Sequence, residues 1–243
     1  MKRILITAPL RQEPKVFREY QESLDALEVP EGYETARFFV VNNCPEVIPE
    51  ITSGEYVIHD TGEHYEKITN THIWTNSNML RMCELRNMTV RYCVENGFDY
   101  WLSADTDLVL DPRTLKYLLE ADRDIVSEVF WTQCPDGGWW CNAWHYDQCD
   151  YDGRMAELTK PSLYQVGMTG ALTLVKAQVF EAGVDYTRIP NIRRSLLGED
   201  RHFCIRAACA GFSLWLDTHA PARHLYTEAE YQKYMREKEA GTC

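Results

Sequence analysis

The chain reads as an α/β protein with a mostly parallel central sheet flanked by helices, and three observations predict it. Strand-like apolar runs alternate with helical patterns along most of the length, as they do when helices cross over a parallel sheet. The boundaries carry matching punctuation, with Pro14 at a helix start, Asn96-Gly97 at a helix stop and Asp111-Pro112 at another start. With 243 residues, 45% of them hydrophobic and 12% aromatic, the chain can fill the core of one fairly large domain or two small ones.

Residues 2–8 form a buried first strand. Pro14 opens a helix with Phe17, Tyr20, Leu24 and Leu27 along its inner face. Residues 37–41 form the second strand, which ends in the polar turn Asn42-Asn43-Cys44-Pro45, and residues 56–59 a short third. A helix over 78–95 turns Met82, Leu85, Met88 and Cys93 toward the core and stops at Asn96-Gly97. An aromatic strand over 98–104 follows, then a helix capped and started by Asp111-Pro112, then a strand over 124–130.

Residues 132–162 break the pattern. They hold Pro, adjacent glycines, several Trp and Cys and no sustained periodicity, which marks a functional excursion, since linkers are seldom so aromatic. Regular structure resumes over 164–175, followed by a helix over 199–210 ended by Gly211 and a strand pair around Leu214 and Arg223. The last helix opens with Thr227 and Glu230 in capping-box spacing.

A net charge of −12 argues against a long nucleic-acid footprint and against a polybasic lipid-docking face. It leaves room for a pocket in which a few arginines grip a diphosphate. The start, MKRILITAPL, has too short an apolar run for a signal peptide, and no stretch is long enough to predict a membrane span. Nine scattered cysteines with no Cys-x-x-Cys pair suit a reducing cytoplasm better than a disulfide framework.

The strongest local signal is WLSADTDLVLDP. Asp105 and Asp107 follow an apolar strand, at the carboxyl edge where open α/β sheets place their ligands. Residues two apart share a face of a strand, so both carboxylates can reach one hard cation, Mn²⁺ or Mg²⁺. Taken alone, the triplet reads equally as a solvated acidic turn.

The block ELRNMTVRYCVENGFDYWLSADTDLVLDPRTLKYLL resembles a core segment of the GT-A-type glycosyltransferases, especially the family-two-like branch of bacterial or phage type. There an Arg-Asn pair (here Arg86-Asn87) opens a helix, a glycine (Gly97) ends it, and a strand delivers the Asp-x-Asp. The segment around Pro9 and Arg11 is similar to the family's first nucleotide-binding loop. GALTLVKAQVFEAGV, beginning at Gly170, resembles its glycine-containing strand. GEDRHFCIRAACAGFSLWLDTHAPARHLY resembles its Glu-Asp helix start and the strands carrying a metal-binding His, by position His224.

The resemblance implies one catalytic domain over 1–243, with a nucleotide-binding half over 1–130 and an acceptor-side half over 131–243. Within it, Asp105, Asp107 and His224 would hold the divalent cation, which stabilises the departing diphosphate as a Lewis acid. Pro9, Arg11, Asn42, Asn43, Arg86, Asp105 and Gly170 would receive a nucleotide-sugar donor. UDP is the default base and GDP the alternative, because Asn42 or Asn43 stands where many members have a uracil-binding Asp. Asp200, beside Glu199 at a helix start, matches the family's catalytic base for an acceptor hydroxyl, and that geometry inverts the anomeric centre. Both acids also suit plain helix capping, and either arginine suits a surface ion pair.

Trp139, Trp140 and Trp144 offer aromatic faces for an acceptor sugar, with core packing as the competing reading. His219 stands in for His224 if the alignment shifts, and His202 is a weaker candidate. Cys134, Cys141, His145 and Cys149 have the ligand types for zinc without a common zinc spacing. Three rival classes fit less well. A haloacid-dehalogenase-like phosphatase carries its Asp-x-Asp on the first strand; a nucleotidyltransferase needs an early glycine-rich basic loop; a carbohydrate-binding module needs no such set of acids.

Overall fold

The computed structural model describes residues 1–62, 67–68, 71–72, 75–133, 137–144, 156–191 and 198–241. The chain begins with β1 (Lys2–Leu10), α1 (Pro14–Asp25) and β2 (Tyr33–Asn42), then a 3-10 turn (Pro45–Glu50) and β3 (Glu55–His59). The short strands β4 (Lys67–Ile68) and β5 (Thr71–His72) precede α2 (Asn76–Glu95), β6 (Tyr100–Ser103), β7 (Leu108–Val109), α3 (Thr114–Glu120) and β8 (Ile125–Gln133). A hairpin strand β9 (Trp139–Cys141) leads to β10 (Ala143–Trp144), β11 (Leu163–Val166), β12 (Met168–Thr169) and β13 (Thr173–Lys176). The chain ends with α4 (Ala177–Glu181), α5 (Glu199–Cys209), β14 (Leu214–His224) and α6 (Glu228–Glu239).

The main sheet runs β11-β14-β8-β13-β6-β1-β2-β3. The β6-β1-β2-β3 half is parallel throughout, and β14 pairs parallel with β8. Within that order the pairs through β13 and the edge strand β11 are antiparallel, and off it β7 pairs antiparallel with β14 and β9 with β8. Alternation along β1 explains the two cores: Leu5 faces one, while Ile4, Ile6, Ala8 and Leu10 face the other. Helices α2, α4 and α5 cover the Leu5 face through Leu85, Val179 and Phe203. Helices α1 and α3 cover the opposite face through Phe17, Tyr20, Leu24, Leu115 and Leu118.

The expected order of elements holds, with four local differences. The helix expected from Asp111-Pro112 starts at Thr114, because Asp111 closes the preceding turn: its carbonyl accepts the Thr114 N–H and its carboxylate binds Arg113. The strand pair around Leu214 and Arg223 is one strand, β14, whose register slips between Asp217 and Ala222 at the segment containing Pro221. The run 164–175 is three short strands, interrupted where Ala171 takes a left-handed φ of 63°. The excursion opens as a β8–β9 hairpin with Thr132 opposite Trp140, so its first residues are regular after all. No helix among the described residues is long and apolar enough to cross a membrane.

Candidate active site

Parallel strands direct their carboxyl ends to one edge, and a cleft of about 520 Å³ opens there. Pro9 and Arg11 reach it from the end of β1, Asn42 from the end of β2, Asp105, Thr106 and Asp107 from the turn after β6, and His224 from the end of β14. Arg86 of α2 and Glu199, Asp200 and Arg201 of α5 close the opposite wall, with Trp144 at its side.

Asp107 meets His224 because of strand pairing. Leu108 of β7 lies opposite His224 of β14, and the Leu225 N–H donates to the Asp107 carbonyl at 2.7 Å. This brings Asp107 Oδ2 to 3.3 Å from His224 Nε2. On the far side of the ring, Nδ1 lies 2.8 Å from Thr132 Oγ1. Phe130 packs edge-on against the imidazole and Tyr226 at a tilt, each about 5 Å away. Burial pulls the His224 pKa down, but the Asp107 carboxylate more than offsets this and the net shift is upward.

Arg86 organises the other carboxylates. Its Nη2 donates to Asp105 Oδ1 at 2.9 Å, its Nε to Glu199 Oε1 at 3.1 Å and its Nη1 to Ser103 Oγ at 2.5 Å. The side chain is only 2% exposed, so these donors are committed to the protein itself. Desolvation opposes its charge, yet Asp105, Asp200 and Glu199 together raise its pKa further above its usual value. Rather than opening the helix, Arg86-Asn87 sits in the middle of α2, where Asn87 accepts the Tyr186 N–H and donates to Thr187. Asp105 is therefore tied to Arg86, while Asp107 pairs with His224. As placed, no group of three His, Cys, Asp or Glu side chains among the described residues is arranged to hold a metal ion.

Asp200 has a fitted seat. A Cβ on Gly170 would stand 2.7 Å from Asp200 Cγ and closer still to Oδ2, so only glycine leaves the carboxylate room. The next residue, Ala171, gives its backbone N–H to Asp200 from the left-handed region, where non-glycine residues are strained. Asn142 steadies this corner, donating to the carbonyls of Gly170 and Glu128 and accepting the Phe130 N–H. Burial raises the Asp200 pKa well above the carboxylate range and Glu199 adds to it, against the opposing pull of Arg86 at 3.9 Å and the Ala171 N–H. The Asp200 side chain keeps 21% exposure toward the cleft, whereas Glu199 keeps 4%.

The structure thus brings together Pro9, Arg11, Asn42, Arg86, Asp105, Asp107, Glu199, Asp200, His224 and Trp144. Asn43 instead ties its loop to Thr61 by two hydrogen bonds, and Gly170 lies behind Asp200. Trp139 and Trp140 are about half exposed on β9, outside the cleft lining. His219 sits against Asp217 and stacks on Tyr117, and His202 accepts the Ile189 N–H, so neither lines the cleft. Of the four zinc candidates, Cys141 is a buried thiol that donates to the Ala143 carbonyl; Cys134, His145 and Cys149 lie outside the described residues.

Sequence reading missed Ser103, Thr132, Ala171 and Arg201. Ser103 had a usable signal, since it ends the strand that delivers Asp105 two residues later. Ala171 had none, because alanine hides a left-handed backbone that glycine would advertise.

No family model matches the chain. Two curated relatives are similar over a short stretch: procollagen-lysine,2-oxoglutarate 5-dioxygenase 2 of Mus musculus and of Homo sapiens, each 39% identical over 67 residues. That stretch is 27% of this chain and 9% of either relative. Among solved structures, residues 1–349 of S. aureus TarS in complex with UDP-GlcNAc align with a TM-score of 0.52 at 12% identity, covering 95% of this chain and 61% of that one. GalNAc-T7 with UDP, GalNAc and Mn²⁺ aligns with a TM-score of 0.55 at 9% identity, covering 93% and 44%. The chain has the fold of the GT-A glycosyltransferases.

Proposed function

We propose that this cleft transfers a sugar from a nucleotide-diphosphate sugar to an acceptor hydroxyl, inverting the anomeric centre, with UDP the favoured nucleotide and GDP the alternative. The carrying observation is that Asp105, Asp107, His224 and Asp200 share one mouth at the carboxyl edge of a GT-A sheet. The groups bound by the structural neighbours, UDP-GlcNAc in one and UDP with Mn²⁺ in the other, support the reading. So do the Asp-x-Asp, Arg-Asn and Glu-Asp motifs, which favour the family-two-like branch and one catalytic domain over 1–243.

Mn²⁺ or Mg²⁺ suits the donor set. Asp107 Oδ2 and His224 Nε2, 3.3 Å apart, are near the roughly 3 Å between adjacent ligands of one small ion. Asp105, now bonded to Arg86, would complete the set. When bound, the ion supplies Lewis acidity to the departing diphosphate. Arg11 reaches phosphate oxygens with charge-assisted hydrogen bonds, and Pro9 and Asn42 border the nucleoside. Arg86 positions Asp105 and Glu199 instead of gripping phosphate. Asp200, in its seat against Gly170 and Ala171, takes the proton from the acceptor hydroxyl. Glu199 braces Arg86, and Trp144 offers a face to a sugar ring.

The test is mass spectrometry of products after incubation with a nucleotide-sugar panel, an acceptor library and Mn²⁺. Asp200→Asn should lose transfer and retain donor binding. The proposal fails if no donor is transferred or hydrolysed and Asp105→Ala leaves nucleotide binding unchanged.

A further inference from the structure

We infer that α6 is a strap that positions the Asp107–His224 pair, with Tyr234, a residue outside the cleft lining, as its anchor. The consequence for cation binding rests on the reading above; the geometry does not. Leu225 joins the two side chains through the backbone. It follows His224 directly, and its N–H donates to the Asp107 carbonyl at 2.7 Å. The Leu225 side chain is buried in a small apolar cluster with Val16 of α1 and Tyr234 of α6, against which Val109 of β7, Tyr231 and Met235 pack. Whatever fixes that cluster therefore fixes the residue on which both Asp107 and His224 depend.

The path from His224 to α6 is short and stiff. Only Leu225 and Tyr226 separate it from the helix cap, where Thr227 Oγ1 accepts the Glu230 N–H at 3.2 Å and Glu230 Oε2 accepts the Thr227 N–H at 2.8 Å. Ion pairs then tie the helix to both neighbours. Lys238 Nζ reaches Glu19 and Glu22 of α1 at 2.6 Å each, Lys15 of α1 reaches Glu228 at 2.6 Å, and Glu237 pairs with Arg223 of β14. Each pair has at least one partly exposed partner, and ion pairs in contact with solvent contribute little individually. Among the residues of α6 only Tyr234 is buried, and Arg223 and Lys238 each lie about 6 Å from its ring centroid. The hold on the helix therefore rests mainly on one ring. That makes α6 a low-stability element whose release would loosen Leu225 while the sheet stays closed.

The test compares wild type with Tyr234→Ala, which removes the ring, and Tyr234→Phe, which keeps it. The first readout is amide exchange in the metal-free protein, followed by ¹H–¹⁵N spectra. The Leu225 N–H should exchange about tenfold faster in Tyr234→Ala, while the amides of β6, inside the sheet, keep their rates. The second is a Mn²⁺ titration followed by electron paramagnetic resonance. There Tyr234→Ala should bind about tenfold more weakly and Tyr234→Phe within about threefold of wild type. If the alanine variant does not fold, Tyr234→Leu replaces it and should move both readouts the same way by at least about threefold. Unchanged exchange at Leu225 overturns the inference, as does equal acceleration in β6, which would make Tyr234 a general stabiliser. Where wild type binds Mn²⁺, an unchanged affinity in the variant overturns it too. If wild type binds no Mn²⁺, the cation reading falls by itself and exchange decides: selective acceleration at Leu225 upholds the strap, and its absence overturns it.

Discussion

Gly170→Ala is the sharpest perturbation of the proposed base, because it adds one methyl group behind Asp200 from a position outside the cleft lining. The new Cβ would lie 2.7 Å from Asp200 Cγ, whereas carbon atoms pack at about 3.5–4.0 Å. The carboxylate must therefore retreat by roughly 1 Å, and a misplacement of that size costs on the order of 100-fold in rate, equivalent to about 2.7 kcal/mol. Retreat is possible because Asp200 is the side chain facing open cleft, so the stability loss should stay at the lower end of the roughly 1–3 kcal/mol typical of overpacking. Initial rates of sugar transfer give the first measure, with Mn²⁺ affinity and thermal melting as controls that should move little. A double-mutant cycle gives the second. In an Asp200→Ala background the clashing atoms are gone, so Gly170→Ala should cost almost nothing further. Equal rate losses in both backgrounds would refute the claim that Gly170 acts by seating Asp200.

Two further outcomes follow from the buried charges. Arg86→Met should destabilise the protein by about 3–5 kcal/mol, because it strands Glu199 without its cation, and should lower the Tm by roughly 10 °C in a calorimetric scan; a melt matching wild type would contradict the hub. Glu128, fully buried beside Asp217, has its pKa pushed up to about 9 by burial first and the Asp217 charge second. Between pH 4.5, its ordinary value, and about 9, the unfolded carboxyl has lost its proton while the folded one retains it. The folded state binds more protons there, so stability should fall as pH rises, by up to about 1.4 kcal/mol per pH unit. Urea midpoints from pH 6 to 8.5 should show a flatter decline for Glu128→Gln; parallel curves would exclude Glu128 as the source.

The fold was legible because its determinants are local. Pro14, Gly97, Gly211 and the Thr227–Glu230 capping box each set a boundary by backbone chemistry, and the structure has α1, α2, α5 and α6 at those places. The errors fall where long-range pairing overrides local signals. Pro221 suggests a break between two strands, yet the parallel ladder with β8 on one side and pairing with β7 on the other carry β14 through a bulge. Spacing could nominate Asp105 and Asp107 as a pair, but not reveal that Arg86 and His224 pull them in different directions. That division depends on where α2 and β14 arrive in space. The same holds for Gly170, where a motif position suggested a donor contact and packing makes it the floor beneath Asp200.

The division of the two aspartates has a chemical consequence. Asp105, Asp107, Glu199 and Asp200 concentrate negative charge in a cleft to which, among the described residues, Arg11, Arg86 and Arg201 bring guanidinium groups. Arg86 is consumed internally, holding Asp105 and Glu199. A nucleotide diphosphate entering this mouth adds further negative charge close to carboxylates, where two like charges 4 Å apart repel by about 4 kcal/mol at an effective dielectric of 20. Arginine at the rim offsets part of this, beside the Asp107–His224 pair. A divalent ion settling there would supply the missing charge and draw Asp105 from Arg86. The guanidinium so released remains fixed by Glu199 and Ser103, and its freed Nη2 would then face the cleft from 3 Å behind the departing carboxylate. On this reasoning donor and cation bind with positive cooperativity, each more weakly alone. Isothermal titrations of UDP with and without Mn²⁺ measure that coupling, and independent affinities would refute it.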